Sequence, residues 1–246
     1  MMKDRENMSQ FCICFDADDT LWESETYFRD AEAAFAQKLS GALDAHRLSA
    51  ALLDTEKQNV GAYGFGVKSF LLSKIETALH HSPQESFADI VSHILSEGRS
   101  LLSHPVEVFE GVRDGLGTLP PNVCKLIITK GDLKDQWRKI HASGLAPLFD
   151  DIHVVIEKDA PTYAKICAAH AIDPQNMIMV GNSVKSDILP VLNLGGYAIH
   201  IPHALTWSFE QADPPENHAK FQQCENFSHA VTAIEKILHA QNIPLK

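Results

Sequence analysis

The stretch Phe15-Asp16-Ala17-Asp18-Asp19-Thr20-Leu21 closes an apolar run that starts at Phe11. The run contains no Gly or Pro and reads as a buried strand ending at an acidic cluster. Asp16 is then the first residue past the strand, and Asp18, two residues on, points the same general way. One carboxylate in such a pair can attack phosphorus as a nucleophile. The other can protonate a leaving oxygen and then take a proton from water. Two acids this close also make a hard-oxygen site suited to Mg²⁺, with Mn²⁺ as a substitute. An anionic nucleophile approaching a phosphate needs such a cation. Taken alone, Asp-x-Asp is a weak signal, because surface pairs and calcium loops contain it.

Working outward, four further strand-like runs follow, and polar clusters end three of them. Cys124 to Ile128 precedes Thr129-Lys130-Gly131, and Ile152 to Ile156 precedes Glu157-Lys158. Met177 to Val180 precedes Gly181-Asn182-Ser183, and Tyr197 to Ile201 is closed by Pro202. Helical stretches alternate with these runs. Asp132 can cap a helix that runs to Ser143 and is stopped by Gly144; Asp159 can cap the next, with Pro161 in its first turn. Phe227 to Ala240 reads as a final packing helix. Repeated strand–helix alternation predicts an α/β fold, a Rossmann-like parallel sheet sandwiched by helices.

Trp22 to Pro105 is different. Tyr27, Phe28, Ala31, Ala34, Phe35 and Leu39 form one helical stripe, and Phe87, Ile90, Val91, Ile94 and Leu95 another. Ser82, Pro83 and Glu85 predict a capping box at the start of the second. With helical stretches at 45–57 and 67–79 between them, about four helices stand inserted after the first strand as a small bundle.

Bulk properties narrow the class. The 246 residues include 21 Lys and Arg against 32 Asp and Glu, a formal net charge of −11. That balance argues against nucleic acid or an anionic membrane as partner, while a local cationic site for a small phosphorylated metabolite remains compatible with it. The first ten residues lack the apolar core of a signal peptide, and no apolar run approaches the roughly 20 residues that span a bilayer. The five cysteines show no Cys-x-x-Cys spacing, which predicts buried thiols in a reducing, cytoplasmic setting. Cys12 and Cys14 would share one face of a strand.

The residues at the strand ends extend the Asp16 site. In open parallel sheets ligands bind at the carboxyl ends of the strands. There the Thr129 hydroxyl, with the backbone amides of Lys130 and Gly131, could hold phosphate oxygens. Lys158 could neutralise charge on Asp16 and on a transferring phosphoryl group. Asn182 and Asp187 could complete a metal's oxygen shell. Each has an ordinary reading as a turn or solvated residue; their order along four strands is what joins them.

On these loops the sequence resembles the haloacid dehalogenase-like (HAD) hydrolase superfamily. The match covers Asp16-Ala17-Asp18-Asp19-Thr20, Thr129, Lys158, and Gly181-Asn182-Ser183-Val184-Lys185-Ser186-Asp187. The resemblance implies Asp16 as nucleophile, Asp18 as general acid/base, and Thr129 and Lys158 as phosphate and nucleophile stabilisers. It implies metal coordination by Asp16, the Asp18 carbonyl, Asn182 and Asp187. It implies an inserted α-helical cap of the C1 type over residues 22–105, with 1–21 and 106–246 as the core. The implied activity is phosphohydrolysis through an aspartyl-phosphate with Mg²⁺. A phosphomutase using the same intermediate, a dehalogenase and a catalytically weak phosphometabolite-binding protein are the alternatives, and the chain is expected to be a monomer or homodimer.

Two departures from the family pattern stand out. The fourth loop begins Gly181-Asn182 where the family has Gly-Asp, which removes one negative charge from the metal shell. Lys130 adds a cation beside the phosphate cradle. In the insertion, Gly61 to Lys68 is the candidate specificity loop, with Tyr63 and Phe65 able to stack on a substrate ring and Lys68 able to meet a second anionic group. A flexible inter-helix turn is the other reading. Trp22 lines the cleft or packs at the hinge. His203 and the remaining histidines show no metal-ligand spacing.

Overall fold

A computed structural model describes residues 11–39 and 44–244, so the reading of the first ten residues falls outside it. The sheet has six parallel strands in the order β3-β2-β1-β4-β5-β6. They are β1 (Cys12–Phe15), β2 (Cys124–Lys130), β3 (Asp151–Val155), β4 (Met177–Gly181), β5 (Tyr197–His200) and β6 (Phe221–Gln223). The helices are α1 (Glu25–Lys38), α2 (Ala45–Tyr63), α3 (Val67–His81), α4 (Gln84–Leu101), α5 (Val112–Thr118), α6 (Leu133–Ser143), α7 (Ala160–Ala169), α8 (Leu189–Asn193) and α9 (Phe227–Ala240).

The central strands are apolar on both faces because both faces are covered. Ile13, Phe15, Ile127, Ile178, Val180 and Ile199 pack with residues of α5 and α9 on one side. Cys12, Cys14, Leu126, Ile128 and Met179 pack with Tyr163, Ile166 and Cys167 of α7 and Val191 of α8 on the other. Cys12 and Cys14 therefore do share a face, and all five cysteines are buried free thiols. The chain builds outward from β1 to β2 and β3, then returns to the other side of β1 for β4, β5 and β6. That reversal opens a crevice beyond the carboxyl ends of β1 and β4. Phe15 pairs with Val180 in the register, so Asp16 and Gly181 emerge there side by side.

Two compact units result. The first takes residues 11–23, 106–130 and 139–244, and the second takes 24–105 and 131–138. The second unit is helical, with a core of Ala31, Phe35, Leu39, Leu48, Leu52, Phe70, Ala78, Ile90 and Ile94. The chain leaves the first unit beside the point where it returns: the Glu23 N–H donates to the Glu107 carbonyl at 3.0 Å, and Trp22 bridges to Val108.

Several local expectations are corrected. Ser82 does not cap α4. It ends α3, its N–H donating to Ala78 O at 2.8 Å, with extended backbone, as the residue before a proline prefers. Pro83 stands at the N-cap of α4, and no side chain makes the cap bond. The turn read at Gly61 shrinks to Gly64–Gly66, because α2 runs on through Tyr63. Gly64 and Gly66 adopt φ of 71° and 102°, conformations that favour glycine. The caps at Asp132 and Asp159 form as expected, accepting from the N–H groups of Asp135 at 3.1 Å and Thr162 at 2.8 Å. Among the described residues, no helix is long and apolar enough to cross a membrane.

Candidate active site

Asp16 extends the β1 ladder by one bond, its N–H donating to Val180 O at 2.9 Å. Its side chain is buried. Thr20 Oγ1 donates to Asp16 Oδ2 at 3.1 Å, and the Lys158 ammonium donates to Oδ1. Lys158 also donates to Asp187 Oδ1 at 2.7 Å. One buried lysine thus bridges the carboxylates at the ends of β1 and β4. Burial raises the pKa of Asp16, Lys158 opposes the rise, and Asp187 and Asp18 add to it; the outcome is a value of about 7. Burial alone would lower Lys158, but Asp16 and Asp187 outweigh it and hold the ammonium well above its ordinary value. The lysine therefore stays charged.

Asp18 is placed differently. Asp19 takes the left-handed region at φ 60°, which an Asp tolerates. Its N–H donates to Trp22 O at 2.8 Å. This turn folds Trp22 back onto the loop, where its Nε1–H donates to Asp18 Oδ1 at 2.7 Å. Trp22 is fully buried, so it packs and positions in one act. Lys139, from α6, donates to both Asp18 oxygens, at 2.7 and 2.6 Å. Sequence reading missed Lys139, because a lone lysine within a helix carries no mark of burial.

The fourth loop is a single π-helical turn over Val184–Ile188. Asp187 is completely buried, and its Oδ2 accepts the Ser183 N–H at 3.0 Å. A methyl group on Gly181 would overlap the Asp187 carboxyl group, so only glycine leaves it room. Asn182 turns its Oδ1 toward the Thr20 hydroxyl at 3.4 Å, and its carbonyl faces His200 Nε2 at 3.0 Å. The Tyr163 hydroxyl donates to Ser186 O at 3.0 Å. Glu210, also missed in the sequence, gathers the loop's two serines: Ser183 Oγ donates to Oε2 at 2.7 Å, and Ser186 Oγ donates to the same oxygen.

The remaining candidates divide. Thr129 is buried near the end of β2. Lys130, expected beside the phosphate cradle, is held by Glu210 Oε1 at 2.5 Å, Ser186 Oγ at 2.9 Å and Glu157 Oε1 at 3.3 Å. Gly131, Tyr63 and Lys68 belong to the helical unit. Tyr63 is exposed, and Lys68 pairs with Asp132 at 2.8 Å. The first unit thus brings together Asp16, Asp18, Lys158, Asn182 and Asp187.

The comparisons with known proteins bear on the family and the fold. The haloacid dehalogenase-like hydrolase family matches residues 12–195. A haloacid dehalogenase-like family hydrolase from Xanthomonas campestris is 37% identical, with a TM-score of 0.81 over 94% of this chain and 92% of that one. The chain belongs to the haloacid dehalogenase-like hydrolase family. A comparison with curated proteins found no match.

More distant solved structures are named for different chemistries. A predicted phosphoglycolate phosphatase from Haemophilus somnus 129PT is 16% identical, with a TM-score of 0.61 over 92% of this chain and 99% of that one. A 2-haloacid dehalogenase from Pseudomonas syringae pv. tomato DC3000 is 17% identical, with a TM-score of 0.61 and the same coverage. At such identities they support the HAD fold of the chain and leave its substrate to the site.

Proposed function

We propose that this HAD-like hydrolase is a phosphomonoesterase for a small phosphorylated metabolite, acting through an aspartyl-phosphate on Asp16. The supporting observation is a second carboxylate, Asp18, two residues from the first and in a separate environment. Lys158 serves Asp16, while Lys139 and Trp22 serve Asp18. Pairs of acids in distinct settings suit distinct roles. A departing alkoxide needs a proton and a departing halide does not, so the second acid favours phosphate ester over haloacid.

In this reading an Asp16 oxygen attacks phosphorus as the bond to the ester oxygen breaks, and Asp18 gives that oxygen a proton. Asp18 then takes a proton from water, which attacks the phosphorus and frees Asp16 and inorganic phosphate. Lys158 holds the Asp16 carboxylate in place and offsets its charge. The donors at the crevice are oxygens from Asp16, Asn182 and Asp187, with no imidazole or thiolate among them. That set fits a hard cation. Asp16, the Asp18 carbonyl, Asn182 and Asp187 would hold Mg²⁺, which supplies positive charge between nucleophile and phosphate. The helical unit is read as the cap that selects the substrate, with Tyr63 and Lys68 as its candidate contacts.

The test is a screen of the purified protein with Mg²⁺ against sugar phosphates, nucleotides and cofactor phosphates, with 2-haloacids alongside. Phosphate release that Asp16→Asn abolishes supports the proposal. Halide release without phosphate release would reverse it in favour of a dehalogenase.

A further inference from the structure

A second cluster lies away from the catalytic crevice. Asp151 opens β3, the edge strand, and His153 follows two residues later on the same face. His170 closes α7, the helix that carries the chain back from the far end of β3. The two Nε2 atoms stand 2.9 Å apart. Asp151 Oδ2 lies 3.7 Å from that of His153 and 3.4 Å from that of His170. The rings meet edge-on, at 86°. Asp151 Oδ1 accepts the Ile152 N–H at 2.8 Å, which turns Oδ2 toward the imidazoles.

We propose that Asp151, His153 and His170 bind one divalent transition-metal ion, Zn²⁺ foremost, at the amino-terminal end of the edge strand. Ligand bonds of about 2.0–2.1 Å in a tetrahedron put neighbouring donor atoms about 3.3 Å apart. The three measured separations bracket that value, so small rotations of the side chains complete the site. Two imidazoles with one carboxylate select a borderline metal over Mg²⁺. Both histidines are more than half shielded from solvent. Burial, against Asp151 and with His170, holds His153 below its ordinary pKa, which favours the neutral ring that a metal requires. Binding would replace the close Nε2–Nε2 contact with two bonds to the ion. The fourth position is left to water. The ion would tie the end of α7 to the sheet edge.

Titration of the full-length protein with Zn²⁺, in excess Mg²⁺ to occupy the oxygen site, tests this. One equivalent should bind and raise the melting temperature. Co²⁺ should give visible d–d bands without thiolate charge transfer, since all five cysteines are buried. His153→Ala and His170→Ala should each weaken binding at least about tenfold, and Asp151→Asn should weaken it as well. His203→Ala, in the Asp19–Glu23–His203 group, should leave it unchanged. The proposal is overturned if no equivalent binds, if binding survives in the double variant His153→Ala/His170→Ala, or if it is lost in His203→Ala.

Discussion

Lys139 Nζ lies 2.7 Å from Oδ1 and 2.6 Å from Oδ2 of Asp18, so one ammonium grips both oxygens of the proposed acid/base. Lys139 is itself buried. In the proposed cycle Asp18 must loosen this grip when it carries a proton and recover it afterwards. Lys139→Met should therefore lower kcat by about 10²-fold, the smaller end of what a positioned acid/base contributes, with a smaller change in KM. Steady-state kinetics on the best substrate from the screen, with circular dichroism to check the fold, measures this. Wild-type turnover in Lys139→Met would remove Lys139 from the mechanism.

The family resemblance implies a carboxylate where Asn182 stands, and the Asn182 Oδ1 faces the Thr20 hydroxyl beside Asp16. Asn182→Asp restores a negative charge to the proposed metal shell. The Mg²⁺ concentration that gives half-maximal activity should fall by about tenfold, the equivalent of about 1.4 kcal/mol. An unchanged or raised requirement for Mg²⁺ would place Asn182 outside the shell.

The Cβ of Gly181→Ala overlaps the Asp187 carboxyl group, which has nowhere else to go in a fully buried position. Either Asp187 turns away from Lys158 and the Ser183 N–H, or the π turn shifts. Overpacking of this kind costs about 1–3 kcal/mol. Thermal unfolding should record that loss, and activity should fall further than that of Gly117→Ala, where a Cβ meets open space.

Glu210 supplies the pH prediction. Burial pushes its pKa up, but Lys130 and the hydroxyls of Ser186 and Ser183 outweigh burial and hold it below the ordinary value. The folded pKa is then lower than the unfolded one. Such a group stabilises the protein fully above the unfolded value, and loses that contribution as pH falls through the folded value. Glu210→Gln removes the contribution. In urea unfolding, wild type should exceed the variant near neutrality, and the gap should narrow as pH drops through about 4.5 and below. A gap that stays constant to acid pH would contradict the shift.

The sheet was legible because buried parallel strands are short apolar runs that stop abruptly, at polar residues after β1, β2 and β4 and at Pro202 after β5. β6 escaped because Phe221-Gln222-Gln223 is a three-residue edge strand with little apolar content. The Asp16 loop and the Lys158 and Asp187 positions could be read from their place after strands. Lys139 and Glu210 could not: each acquires its role only when α6, or the segment after β5, is folded beside a loop distant in sequence. Lys130 shows the same limit in reverse. Its position beside Thr129 suggested a phosphate contact, and nothing in the sequence marked the pairing of its ammonium with Glu210, eighty residues later in the chain. His153 and His170 likewise have no motif spacing and meet only because α7 returns along β3.

The hydrogen bond between Glu23 and Glu107 has a topological consequence. The 24–105 excursion starts and ends at neighbouring backbone positions, so its length is decoupled from the pairing of β1 with β2. Helices can be added, shortened or exchanged within that loop without shifting a single strand partner. If the helical unit selects the substrate as proposed, specificity can diverge by whole-segment replacement while Asp16 and its surrounding charges keep their places.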